Sequence, residues 1–168
     1  AASHGASRFL ALFDTSVPCD NFYEFFLRRA IDDPRWGFLI KPKHFDGLPW
    51  ARAIKPRLHT LYQEATSTGR VRMLDWRLSP AEAAVGADFS VGVGINSATV
   101  VSAMAGYRSI HLDYSRLEDS LLSAWAKWHR VGTNRLVFND PQVLWERLNR
   151  YLDQPGSDLG LGAVDEEL

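Results

Sequence analysis

Residues 85–114 read VGADFSVGVGINSATVVSAMAGYRSIHLDY, and the fold turns on them. Ala87 to Val93 is a short apolar run bounded by glycine, the pattern of a strand buried on both faces of a parallel sheet. Gly92, Gly94 and Asn96 then let the backbone turn sharply. Asn96 or Ser97 caps the next helix, because a short side-chain oxygen accepts from the unpaired N–H groups of the first turn. That helix spans Ala98 to Ala105 and stops at Gly106. A second strand, Arg108 to Asp113, follows at once. The unit is strand-helix-strand, and the partial positive charge of its helix N-terminus favours an anion above the strand ends.

Outward from this unit, the chain repeats the alternation. Arg8 to Phe13 reads as a buried strand ending in the turn Asp14-Thr15-Ser16. Asp20 or Asn21 caps a helix to about Ile31, with Phe22, Phe26 and Ala30 on one face. Trp36 to Ile40 is a second strand that delivers Lys41-Pro42-Lys43-His44. Leu48 to Ala65 is helical but contains Pro56, which predicts two pieces or a kink. Val71 to Leu74 is a third strand. Ser79-Pro80-Ala81-Glu82 is a capping box that starts a short helix. Past the central unit, Leu117 to Arg130 reads as a helix, Arg135 to Phe138 as a sixth strand, and Asp140-Pro141 as the start of a final amphipathic helix. Residues 1–7 read as a linker. The glycine-rich, acidic residues 153–168 read as a disordered tail.

Six strands alternating with helices predict an α/β domain over residues 8–152: a mostly parallel sheet with helices on both faces. In the strand order 3-2-1-4-5-6 a ligand crevice lies between the first and fourth strands, outside their carboxyl ends. That places Thr15 and Ser16 opposite Asn96 and Ser97. Lys41, Lys43, His44, Asp75 and Asp113 are at the ends of the other strands.

Composition narrows the partners. With 168 residues, 46% apolar and a net charge of −1, the chain suits one domain with a sizeable core. The near-neutral balance offers no basic field for nucleic acid, and no run is long enough for a membrane span. A cytoplasmic protein is expected. Cys19 is the single cysteine, so no internal disulfide forms, and no local motif activates it as a nucleophile. No His/Cys cluster has metal-ligand spacing, so neither a metal nor a resident cofactor is expected.

Ser97 with the N–H groups of its helix forms a phosphate cradle, and Lys41 or Lys43 supplies a point charge, a combination suited to a diphosphate. The plain alternatives are a cap without a ligand and a solvated lysine loop. His44 is a loop histidine or a sugar contact. Asp113 binds a hydroxyl or caps the turn that follows it. Gly92-x-Gly94 falls short of a dinucleotide fingerprint, because Ser97 stands where the third glycine belongs, and no Walker lysine follows Gly94.

Two stretches resemble a known family. Ala87-Asp88, the strand, Asn96-Ser97, the small-residue helix, Gly106 and the strand through Asp113 are similar to the donor-side half of GT-B glycosyltransferases. The likeness is to bacterial surface- and capsular-polysaccharide enzymes and to CDP-glycerol glycerophosphotransferases. Ile40-Lys41-Pro42-Lys43-His44 also resembles their Lys-Pro-His loop, with one extra residue. The resemblance implies a three-layer Rossmann-like C-terminal domain that holds a nucleotide-sugar donor. In that likeness Ser97 and its helix N-terminus would hold the donor's phosphates with Lys41 assisting; the strand-end reading adds Asn96, Lys43, Ser16 and Thr15 on the phosphates and His44 and Asp113 as sugar or ribose contacts. The partner it implies is an N-terminal acceptor domain, with catalysis needing both halves and the inner face of the membrane as one place of action. The acid that such enzymes carry in this helix falls at Val101 or Ser102 here. Two other readings stand beside it: a sugar-nucleotide epimerase half, and a non-catalytic module docking through Trp125, Trp128 and Trp145.

Overall fold

The computed structural model describes residues 8–13, 20–43, 55–94, 96–114 and 135–163. In chain order the elements are β1 (Arg8–Phe13), α1 (Asp20–Asp32), β2 (Trp36–Lys41), α2 (Pro56–Ser67), β3 (Val71–Met73), α3 (Pro80–Ala84), β4 (Phe89–Val93), α4 (Ser97–Met104), β5 (Ser109–Leu112), β6 (Val137–Phe138) and α5 (Pro141–Asp153). The sheet runs β3-β2-β1-β4-β5-β6 and every neighbouring pair is parallel. This α/β arrangement is compatible with a Rossmann-like fold. The register draws a level row across the sheet near its carboxyl edge: Lys41, Phe13, Gly92, His111 and Val137.

Side chains alternate between the two faces of a strand, and here the faces differ in kind. One collects Trp36, Phe38, Ile40, Phe89, Val91, Ile110 and Leu112, all buried in the main core. α1, α2 and α5 cover it: Phe26 meets Phe38 edge-on, Trp145 packs on Trp36, and Tyr151 meets Phe89. Each such large side chain, once buried, contributes about 1.5–3 kcal/mol. The other face presents Ser90, Gly92, Ser109 and His111, small or polar groups that let α4 lie close. α3 packs beside α4, and the Ser102 hydroxyl donates to the Pro80 carbonyl.

Local signals account for most starts and stops. Phe22, Phe26 and Ala30 form the buried stripe of α1, joined by Tyr23 and Leu27. Ser79 and Glu82 form the capping box of α3. Pro56 is not inside a helix: it opens α2 at its first position, where the missing N–H has no partner to lose. The piece expected before it lies outside the described residues, as do Cys19 and the helix expected over Leu117–Arg130.

The tail expected to be disordered from Gln154 is folded through Ala163. Leu161 is fully buried in the main core, and Arg147 grips Asp158 through Nε and Nη2 at 2.6 and 2.7 Å. The Gly162 carbonyl accepts from the Ser109 N–H, and the Gly162 N–H donates to the Arg135 carbonyl. Glycine here means close packing. With φ at +66°, a Cβ on Gly162 would stand 3.2–3.3 Å from Arg108, Phe89 and Ile110.

Candidate functional site

β1 and β4 are parallel neighbours, yet their following helices leave on opposite faces: α1 on the apolar face, α4 on the polar one. Two parallel strands whose crossovers diverge leave an open crevice at their carboxyl ends, the usual place for ligands in such sheets. On the β4 side the structure describes Gly92 to Gly94 and the start of α4. On the β1 side, Thr15 and Ser16 lie outside the described residues, and so does His44 on the next loop.

The loop between β4 and α4 is shaped by two glycines with different duties. Gly94 turns the chain at φ +62°, a left-handed conformation that a side chain disfavours. Gly92 makes room: a Cβ there would lie 2.2 Å from Asn96 Nδ2 and 2.7 Å from Thr99 Cγ2. Into that space Asn96 turns its side chain, accepting from the Thr99 N–H at 3.0 Å and donating to the Val93 carbonyl at 3.2 Å. Asn96 is therefore the cap, and it is buried. Ser97 is the first helical residue and is exposed. The amides of Ser97 and Ala98 are first-turn donors that the helix itself does not use, and they sit at the positive end of the helix dipole.

Beneath this turn runs a buried polar chain. The Thr99 hydroxyl lies 3.0 Å from the Asn96 carbonyl and 3.0 Å from His111 Nδ1, and His111 Nδ1 lies 3.3 Å from the Gly94 carbonyl. Sequence reasoning missed His111 and Thr99. The available signal was the pairing of Ser90 and Gly92 with Ser109 and His111, a polar set at alternate positions of two neighbouring strands.

The lysines are placed differently from each other. Lys41 is 9% exposed, and its ammonium donates to the carbonyls of Pro42 and Trp76, both at 2.9 Å. Burial pushes it below the ordinary lysine value, and the charge of Asp75 opposes that shift. Lys41 thus ties the end of β2 to the loop after β3. By the spacing of strands its Cα is about 10 Å from that of Gly92. Lys43, two residues past the end of β2, is exposed. Asp75 belongs to a clamp in which Arg77 donates from its backbone N–H and its guanidinium, holding the carboxyl at about 2. Asp113, at the end of β5, is 4% exposed, and its N–H donates to the Phe138 carbonyl.

At the positions where the resembling enzymes carry an acid, Val101 is exposed on the outer side of α4, and the buried Ser102 hydroxyl donates to Pro80 and Ala98 carbonyls. Trp145, expected as an exposed docking residue, is buried against Trp36 and Phe25, because the stripe of α5 faces the core. Trp125 and Trp128 lie outside the described residues. Among the described residues no group of three His, Cys, Asp or Glu is gathered for a metal ion, and no helix is long and apolar enough to cross a membrane. No protein-family model matches the chain, and no curated protein is similar to it in sequence.

Proposed function

We propose that this chain is the nucleotide-sugar-binding half of a GT-B glycosyltransferase of bacterial polysaccharide or glycoconjugate synthesis. The observation that carries the reading is the position of the α4 N-terminus. It stands at the reversal of strand order, with Asn96 turned inward as the cap and Ser97 exposed as the first helical residue. A diphosphate there accepts from the amides of Ser97 and Ala98, and the helix dipole favours its charge. Lys43 is an exposed cation after β2, while Lys41 ties the end of β2 to the segment after β3. The sugar or ribose lies toward Asp113, at the end of β5 beside β4. Transfer consists mainly of positioning donor and acceptor and stabilising the leaving diphosphate, so it needs the acceptor half as well.

The test is calorimetry of the folded chain against UDP, GDP, CDP and their sugars. Weak binding of at least one, with no transfer by this chain alone, is the expected result. Silence across the panel overturns the donor site. The docking-module reading loses Trp145 as an anchor, since that side chain is 6% exposed.

A further inference from the structure

His111 sits in β5, 1% exposed and level with Gly92 on β4. Its Nδ1 faces two oxygens, the Thr99 hydroxyl at 3.0 Å and the Gly94 carbonyl at 3.3 Å. A carbonyl only accepts, so the contact with Gly94 is a hydrogen bond only when Nδ1 carries a proton. The Thr99 hydroxyl has one proton, and the Asn96 carbonyl at 3.0 Å takes it, which leaves a lone pair toward His111. The Gly94 carbonyl therefore requires the Nδ1–H form, and a Thr99 hydroxyl that donates to Asn96 accepts from it as well.

We infer that His111 is a positioning residue for the diphosphate site at the start of α4. Its Nδ1–H ties the carbonyl of Gly94, where the chain reverses, to Thr99 in the first helical turn. Those two points bracket the amides of Ser97 and Ala98, so the tie holds the amides on aim. It adds to the ties on either side of the turn, the Gly94 N–H on the Leu112 carbonyl at 2.9 Å and the Asn96 side chain on Val93 and Thr99, and is the one of them that reaches the Gly94 carbonyl from β5 among the described contacts. An apolar residue at 111 would fill the space and withdraw the Nδ1–H from both oxygens. This inference rests on the reading of the α4 N-terminus as the donor site.

Two measurements test it. In the free chain, two-bond proton–nitrogen correlation spectra, with His111 assigned from the signal missing in His111→Asn, are expected to show a protonated Nδ1 and a bare Nε2 above neutral pH. A proton on Nε2 overturns the inference. The second is calorimetry with pyrophosphate and with the tightest nucleoside diphosphate of the panel. His111→Asn, whose amide reaches about as far as Nδ1, is expected to bind within about threefold of the parent. His111→Gln, whose amide reaches the other ring nitrogen's place, and His111→Leu are expected to lose about tenfold on both ligands, the equivalent of one net hydrogen bond. Circular dichroism reports that each variant is folded, and if His111→Leu is not, the Asn and Gln pair decides. Binding that is equal in Asn and Gln variants overturns the positioning role while leaving the donor site standing. A parent chain that binds neither ligand overturns the donor site, and the positioning role with it.

Discussion

Asn96 occupies the space that a side chain at Gly92 would fill: a Cβ on Gly92 would stand 2.2 Å from Asn96 Nδ2. The cap of α4 is thus seated in the sheet, and the depth of that seat is set by the absence of one carbon atom.

Gly92→Ala must push this turn outward, because the new carbon would meet Asn96, which is held by its hydrogen bonds to Val93 and Thr99. Overpacking of this kind costs about 1–3 kcal/mol, or a fall in Tm of roughly 3–10 °C for a chain of this size. Gly156→Ala, where nothing lies within 4 Å of the new carbon, is the control and is expected to stay within about 0.5 kcal/mol. Thermal melts of the two variants check this, and equal melts contradict the seating.

Ser97→Asp separates helix stability from ligand binding. A carboxylate at the first position of α4 meets the positive end of the helix, worth about 0.3–1 kcal/mol in stability. The same charge repels a diphosphate at that place, lowering affinity by at least about tenfold. Tm up and nucleotide affinity down is the expected pair of changes. Affinity that is unmoved shows that the ligand sits elsewhere.

What was legible in the chain was whatever a few neighbouring residues decide. The stripe of Phe22, Phe26 and Ala30, the box of Ser79 with Glu82, and the stop at Gly106 each depend on residues within two turns. Lys41 illustrates the limit: its ammonium is consumed by the carbonyl of Trp76, 35 residues on, and no spacing rule reaches that far. His111 is illegible for a related reason. Its meaning comes from lying beside Gly92 and under Thr99, a fact of register between strands. Pro56 misleads because a helix interior and a helix start look alike until the preceding residues are placed. Trp145 misleads because an aromatic residue near charged neighbours reads as surface, whereas α5 turns it toward Trp36.

Stability is expected to fall in acid through the Asp75–Arg77 clamp. The Asp75 carboxyl lies at about 2 in the folded chain against an ordinary 3.8. As pH falls through 3.8 the unfolded chain takes up the proton first, so this contribution is complete above that value and is lost between 3.8 and 2. Asp33, held down by Arg35, acts in the same direction. Melts from pH 5 to 2 are expected to show a declining Tm, shallower in Asp75→Asn than in the parent. Superimposable acid limbs contradict the clamp.

Truncation after Gln154 distinguishes an ornamental tail from a structural one. Leu161 fills a place in the main core, and its loss alone, as Leu161→Ala, is worth about 2–5 kcal/mol. Asp158→Ala removes both hydrogen bonds to the Arg147 guanidinium, a charged interaction of about 1.5–3 kcal/mol. Gly162 supplies the carbonyl to Ser109 at the head of β5 and the N–H to Arg135 ahead of β6, so deletion also removes these two backbone hydrogen bonds. The three losses fall on one segment, and their sum approaches the whole stability of an ordinary domain. The truncated chain is therefore expected to be unfolded or molten at 25 °C, with Leu161→Ala folded but melting well below the parent. A truncated chain with the parent's melting curve would show that residues 155–163 rest on the fold without supporting it.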